Sequence, residues 1–231
     1  MAETVLMASL KSLGLSNQPL GGAEGIAGRT VANFVMQHQL QTQWCWAAVS
    51  ASVTDLHQRP MTQCAIVNLT RSLNGCCESG SSSSCNQPWY LDQALFKTGN
   101  QAQMIEQYLP WSKLMSEIDA GRPVGVRTGW TNGGGHFLAV RGYDPSGIIE
   151  VGDPWYGDSP VNYNTFISSY LGAGKWTHSY LTTPVNSTSN PAQPSGASTP
   201  SNDPWHPSSG CSTVPPPTQT NPAPYDPWQP H

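Results

Sequence analysis

The order of hydrophobic patterns along the chain is the feature that most limits its fold. Residues 45–121 carry helical patterns separated by short breaks. After residue 122 the pattern changes to short apolar runs or period two, as in "PVGVRTGW", "HFLAVRGY", "IIEVGD" and "WTHSYLT", with glycine-rich turns between several of them. Helices followed by strands that pair as antiparallel neighbours indicate an α+β architecture. We therefore predict an N-terminal helical half packed on a C-terminal antiparallel sheet.

Four helices are predicted in the first half. The first covers 45–57, where small apolar residues indicate a buried helix, and the second follows a proline within 61–73. The third begins at 86–88, with Asn86 as its cap and Gly99 at its far end. The fourth, "WSKLMSEIDAG", closes on Gly121.

Composition divides the chain into three segments. Residues 184–231 are rich in Pro, Ser, Thr and Asn, which predicts a disordered tail. Its repeated "DPWHP" and "DPWQP" indicate either a spacer or a docking segment for a partner with an aromatic-lined groove. Residues 1–35, with "LGGAEGIAG", are interpreted as a leader or propeptide-like extension, or alternatively as an element that covers a sheet edge. The domain itself is predicted at 36–183.

The charge and the cysteine content of the chain limit the classes of partner and the cellular compartment that we expect for the protein. Only 10% of residues are charged and the net charge is −4, so we expect no nucleic-acid partner. No apolar run approaches about 18 residues, so we expect no membrane span. The N-terminus has no secretory signal pattern, whereas six cysteines and few lysines are typical of extracellular proteins. We predict a protein that is secreted or delivered into another cell.

Cys45 stands between two tryptophans at the start of the first predicted helix. A thiol at that position meets backbone N–H groups and the positive end of the helix dipole, which both favour the thiolate. A nucleophile is one interpretation, and a buried structural cysteine is the other.

The predicted sheet supplies two further side chains for such a nucleophile. His136 opens a strand directly after "TNGGG", and Asp153 ends the next strand. Two neighbouring antiparallel strands place these residues at the same end of the sheet. A cysteine, a histidine and a carboxylate then form a nucleophile, a base and a group that orients the base. Asp144, in "GYDPSG", looks instead like a turn residue.

These motifs, in this order and spacing, resemble the papain-like cysteine peptidases. The matching segments are "WCWAA", "GGHFLAVRGYD", "VGDP" and "WTHSYLT", and "AGRPVGV" and "CNQPWYLDQAL" fit the same pattern. The resemblance covers about 36–183 and is strongest to the bacterial branch of plant-pathogen effector peptidases and bacteriocin-processing-like peptidases. It implies a papain-like fold with the nucleophile at a helix N-terminus.

The resemblance also implies site residues and an activity. Cys45 is the nucleophile, His136 the general base and Asp153 the third member, where papain has Asn. Gln39, six residues before the cysteine, corresponds to the oxyanion-hole glutamine. Three neighbouring glutamines offer alternatives: Gln37, Gln41 and Gln43.

The implied function is a cysteine endopeptidase that acts on a protein or peptide through a thioester acyl-enzyme. It implies no cofactor, and we expect a monomer. Two alternatives stay open from the residues alone. One is another thiol acyl-transfer enzyme, such as a transglutaminase or amidase. The other is an inactive peptidase-like binding module whose tail carries the function.

Four of the remaining cysteines cluster within 22 residues: Cys64, Cys76, Cys77 and Cys85. A zinc site would usually show paired C-x-x-C spacing, which is missing here, so we expect no metal. Disulfides suit a papain-like extracellular domain better. A bond between the adjacent cysteines is a rare strained ring, so Cys64 pairs with one of them and Cys85 with the other. Of the two pairings left, we favour Cys64–Cys77 with Cys76–Cys85 and keep the crossed alternative open. Cys211, in the tail, is idle or an intermolecular partner.

Overall fold

The computed structural model describes residues 28–185 of the chain. The first 27 residues of the predicted leader and the predicted tail from residue 186 onward lie outside them. The described residues form five helices: α1 (Cys45–Leu56), α2 (Gln63–Arg71), α3 (Leu91–Thr98), α4 (Trp111–Asp119) and α5 (Tyr163–Ser169). They also form seven strands: β1 (Arg29–Thr30), β2 (Gln101–Ile105), β3 (Val124–Trp130), β4 (Gly135–Asp144), β5 (Ile148–Asp153), β6 (Gly157–Asn162) and β7 (Gly174–Thr182).

The strands make one antiparallel sheet in the order β2-β7-β3-β4-β5-β6. Strand β4 is central to the site because β3 pairs with its first half and β5 with its other edge. Strand β1 continues the pairing beyond the end of β3, with Arg29 opposite Tyr143. The predicted α+β architecture, helices first and an antiparallel sheet second, is confirmed.

Helix α1 is the buried centre of the helical half. Its residues from Cys45 to Thr54 are all buried. Small side chains, among them Ala47, Ala48 and Ala51, allow the helix to lie close to β4 on one side and to α2 and α3 on the other.

The predicted start of the third helix is wrong. Helix α3 begins at Leu91, and its N-cap residue Tyr90 is extended. Residues that precede a proline disfavour helical backbone, and Pro88 extends the chain here. The Asn86 side chain, predicted as the cap, bonds instead to the segment before α1. The far end is as predicted, with Gly99 in the left-handed conformation at φ +80°.

The folded region begins earlier than the predicted boundary at residue 36. Strand β1 pairs with β4, and Val31 and Phe34 are buried in the core. Residues 28–35 therefore belong to the domain and not to the predicted leader. No helix among residues 28–185 is long and apolar enough to cross a membrane.

Helix α4 carries a buried carboxylate with two cationic partners. Glu117 is 3% exposed, and its oxygens lie 2.6 Å from Lys113 Nζ and 2.7 Å from Arg122 Nε. Burial by itself would raise the pKa of Glu117, but the two cations more than offset this, and the pKa of Glu117 lies below its ordinary value. The ionised form is therefore favoured in the folded state.

We expect Glu117→Gln to lower the free energy of unfolding at pH 7 by about 1 kcal/mol, because both cationic partners are partly exposed and screened. A depressed folded-state pKa contributes stability that is present above the unfolded pKa of about 4.3 and is lost as pH falls through the folded value. The gap between wild type and variant should therefore close below about pH 4. Urea unfolding at several pH values measures it, with exposed Glu106→Gln as control. A gap that widens toward low pH would contradict this assignment.

Candidate active site

The two tryptophans that flank Cys45 anchor the start of α1. The indole Nε1 of Trp44 donates to the carbonyl oxygen of Cys85 at 2.9 Å, and that of Trp46 donates to Gln87 O at 3.2 Å. Both rings are fully buried. The "WCW" motif therefore fixes the cysteine between two indoles that hold the helix start to the loop at 85–87.

A second set of bonds reinforces this attachment from the loop side. Asn86 Nδ2 donates to Thr42 Oγ1, and Asn86 Oδ1 accepts from the backbone N–H of Gln43, both at 2.9 Å. The loop itself is closed by the Cys76–Cys85 disulfide. We call residues 76–87, with this disulfide, the clamp loop, because it holds the residues just before and after Cys45.

The cysteines of the described region are all in disulfides. Cys64 is bonded to Cys77 and Cys76 to Cys85, which is the pairing that the sequence analysis favours. Cys45 is also disulfide-bonded, in neither of these two pairs. Cys211 lies outside the described residues. Among residues 28–185, no group of His, Cys, Asp or Glu side chains is arranged to hold a metal ion.

His136 and Asp153 meet at one end of the sheet. His136 is the second residue of β4, and Asp153 is the last of β5. Their side chains are buried, and His136 Nε2 lies 2.8 Å from Asp153 Oδ1. Gly135, before the histidine, has to be a glycine because an added Cβ would lie 2.9 Å from the backbone oxygen of Thr128. The bond at Nε2 leaves Nδ1 as the ring nitrogen that can exchange a proton with a nucleophile or a substrate.

The Asp153 carboxylate is held by four hydrogen bonds. Oδ1 accepts from His136 and from the backbone N–H groups of Trp155 at 2.8 Å and Tyr156 at 3.0 Å. Oδ2 accepts from the Tyr170 hydroxyl at 2.9 Å. Burial alone would raise the pKa of Asp153, but His136 and the backbone donors outweigh burial, and the pKa lies below its ordinary value. The aspartate is thus kept ionised beside the histidine.

Gln39 adjoins the turn that carries Asp153. Its backbone N–H donates to Pro154 O at 2.9 Å, and its side chain is buried. Nε2 donates one bond, at 2.8 Å, to Gln41 O, so its second N–H is not used by that bond. The Gln37 amide is instead tied to Asp55 and Gln63. The oxyanion role of Gln39 stays a prediction.

The chain between Gln39 and Cys45 links the two halves of the site. Gln39 is bonded to the Asp153 turn, the Trp44 N–H donates to Gln41 O at 3.1 Å, and α1 then packs across β4. The sequence analysis predicts Cys45, His136 and Asp153 as site residues, and the structure places them on elements that pack together. It missed Tyr170, which belongs to no recognised motif. A tyrosine just after a short polar helix gives no sequence signal of its own.

A cysteine at the start of a helix that packs on β4, a buried histidine–carboxylate pair on β4 and β5, and an α+β fold are the features of a papain-like thiol hydrolase. The chain belongs to the Peptidase_C39 like family, whose model matches residues 31–178. It is accordingly a cysteine peptidase and acts on a protein or peptide substrate.

Several chains of solved structures are also similar to this chain. One of them is the peptidase domain of Streptococcus ComA, a bifunctional ABC transporter involved in a quorum-sensing pathway. The TM-score is 0.45 and the identity 17%, and the match covers 65% of this chain and 98% of that domain. None of the curated proteins compared with the chain matches it.

Asp153→Asn should lower kcat by about 10²–10⁴-fold, because an amide neither favours the required histidine tautomer nor stabilises the imidazolium. Asp144→Asn is the matched control, since Asp144 is exposed and accepts a turn bond from the Ser146 N–H at 2.8 Å. Steady-state peptide hydrolysis by the reduced variants measures the difference. Equal losses in both variants would remove Asp153 from the site.

The two disulfides close loops of similar sequence separation, 9 and 13 residues. Replacing either pair by alanine should therefore lower the free energy of unfolding by a similar amount, about 3 kcal/mol. At temperatures below the melting transition, the Cys76→Ala, Cys85→Ala variant should also lower kcat more than the Cys64→Ala, Cys77→Ala variant, because Cys85 directly precedes the loop residues that bond to the start of α1. Equal kcat values for the two double variants would show that the clamp loop does not position Cys45.

Proposed function

We propose that the protein is an endopeptidase that cleaves peptide bonds through a Cys45–His136–Asp153 triad, with Gln39 in the oxyanion hole. The observation that carries the proposal is the buried 2.8 Å bond between His136 Nε2 and Asp153 Oδ1 at the sheet end against which α1 and the Gln39 segment pack. Family membership supports the peptidase chemistry.

The proposed reaction begins from the reduced form of Cys45. The thiolate attacks the carbonyl carbon of the scissile peptide bond, and the carbonyl oxygen takes up the negative charge. Protonated His136 donates a proton from Nδ1 to the leaving amine, the C–N bond breaks, and a thioester remains. His136 then takes a proton from water, whose oxygen attacks the thioester and releases the acid and the thiolate. Asp153 stays ionised throughout and stabilises the imidazolium.

Gln39 supports this chemistry through its side-chain amide. Its backbone bond to Pro154 O fixes it beside the Asp153 turn, and its bond to Gln41 O orients Nε2. A preorganised amide donor stabilises a developing oxyanion without moving during the reaction, and losing one such donor costs about 10²–10³ in rate.

The redox state of the chain bears on activity and on location. Cys45 in a disulfide has no thiolate, so the active enzyme is the form in which this bond has been reduced. The disulfides of the clamp region suit an oxidising compartment and support the proposal that the protein is secreted or delivered into another cell. The resemblance to plant-pathogen effector peptidases belongs to the same proposal.

Two other functions are separated by experiment. A transglutaminase or amidase would use the same triad, so the triad alone does not decide against it. An inactive binding module would not need a buried histidine bonded at 2.8 Å to a buried carboxylate, and this pair disfavours it.

We expect mildly reduced protein to cleave a denatured proteome at internal peptide bonds, as read by mass spectrometry of the new termini. Cys45→Ala should abolish cleavage and keep its melting temperature within a few degrees. An epoxysuccinyl inhibitor should label reduced wild type at Cys45. Side-chain amide conversion without new termini would establish the amidase alternative, and no labelling after reduction would establish the binding module.

The same assay tests the redox requirement. Protein kept without reductant should show little cleavage, and a mild reductant should restore it. Comparing Cys211→Ser with wild type, both without reductant, determines whether Cys211 contributes to the loss of cleavage in unreduced protein. Full activity of unreduced wild type would contradict the requirement.

A further inference from the structure

Tyr170 is a buried ionisable side chain that the triad chemistry does not use. It follows α5 directly, is 1% exposed, and donates its hydroxyl proton to Asp153 Oδ2 at 2.9 Å. The other three donors to this carboxylate all bond to Oδ1. The tyrosine is therefore the partner that the described structure gives to the second carboxylate oxygen.

We propose that Tyr170 is a positioning residue for the peptidase reaction, whose hydroxyl holds the Asp153 carboxylate in the rotation that keeps Oδ1 on His136. This inference rests on the proposed triad. A carboxylate bonded through one oxygen can swing about its Cβ–Cγ bond, whereas bonds to both oxygens from different elements fix its plane. His136 then keeps one ring orientation, with Nδ1 directed away from Asp153.

The backbone around Tyr170 is built to hold the ring in place. Its N–H donates to Gly174 O at 2.8 Å, and its carbonyl accepts from the Gly174 N–H at 2.7 Å. Gly174 is close-packed, since an added Cβ would lie 2.3 Å from Thr128 Cγ2. Thr128 is itself the partner of His136 in the β3–β4 ladder. Tyr170 and His136 are therefore anchored to the same point of the sheet.

Trp130 completes the arrangement. Its ring is stacked with those of both His136 and Tyr170, at centroid distances of 6.4 Å and interplanar angles of 16° and 18°. Phe166 packs edge-on against Tyr170 at 5.0 Å. These rings surround the hydrogen-bonded groups with apolar surface, which strengthens the bonds within them.

The Tyr170 hydroxyl remains a donor across the working pH range. Burial and the nearby Asp153 charge raise the pKa of Tyr170 well above its ordinary value. Besides His136 and Tyr170, the ionisable groups that interact with Asp153 are Tyr156 and Asp158, and Asp158 is paired with Arg141 at 3.0 Å.

The test compares Tyr170→Phe with Tyr163→Phe in the reduced full-length chain. Tyr163 is the first residue of α5, the helix that Tyr170 follows, but its hydroxyl donates to the backbone oxygen of Leu109. We expect Tyr170→Phe to lower kcat about 10- to 100-fold with little change in KM. The acidic limb of its kcat profile should move to higher pH, because Asp153 loses a donor that favours its ionised form. Tyr163→Phe should leave the profile unmoved.

A double-mutant cycle separates positioning from a structural effect. In an Asp153→Asn background, Tyr170→Phe should change kcat less than twofold, because the group through which it acts is gone. An unmoved pH profile, or the same loss of kcat in both backgrounds, would overturn the proposal.

A readout without turnover keeps the proposal testable if no peptide is cleaved. In proton NMR, the signal of the proton between His136 Nε2 and Asp153 should shift or broaden in Tyr170→Phe and stay unchanged in Tyr163→Phe. Inactive wild type with this NMR change would overturn the endopeptidase proposal while retaining the positioning of Asp153. An unchanged signal would overturn the role of Tyr170 whatever the activity.

Discussion

The buried Asp153 carboxylate is the constraint on which the arrangement of the sheet half depends. A charge taken out of water is tolerated only when donors replace its hydration. Its donors come from β4, from the turn after β5 and from the end of α5. The pairing of β4 with β5 and the return of the chain through α5 are therefore both needed to keep this aspartate ionised. Because His136 Nε2 is bonded to Asp153, Nδ1 is the ring nitrogen that remains for proton transfer.

The start of α1, which carries Cys45, is held by hydrogen bonds to a loop. Cys45 lies at the start of a helix where the indole N–H groups of Trp44 and Trp46 donate to the clamp loop. Asn86, in the same disulfide-closed loop, bonds to the residues just before the helix. A helix end is usually the least rigid part of a helix. Here the clamp loop holds the helix start through hydrogen bonds, which suits the catalytic role proposed for Cys45. This explains why large aromatic residues flank a cysteine in a helix made mostly of small side chains.

The sequence predicts those parts of the site that depend on pattern and order. His136 and Asp153 each mark the end of an apolar strand, and antiparallel neighbours bring such ends together. Asn86 was misassigned because a residue with capping chemistry also serves as a bridge between loops. Strand β6, "GDSPVN", and helix α5, "YNTFISS", were missed because an exposed edge strand with a proline and a short helix with one buried residue lack periodicity. Tyr170 was missed with them, since its role depends on where α5 ends in space.

The two halves of the site are joined by the segment between Gln39 and Trp44. Its first residue is bonded to the Asp153 turn, and its last is bonded to the clamp loop. The His136–Asp153–Tyr170 set and this segment are already assembled in the structure in which Cys45 is disulfide-bonded. Reduction of Cys45 therefore has to release a thiol and does not have to build the rest of the site. In the proposed mechanism, reduction releases the Cys45 thiol, and the fold already holds His136 and Asp153 in their bonded arrangement.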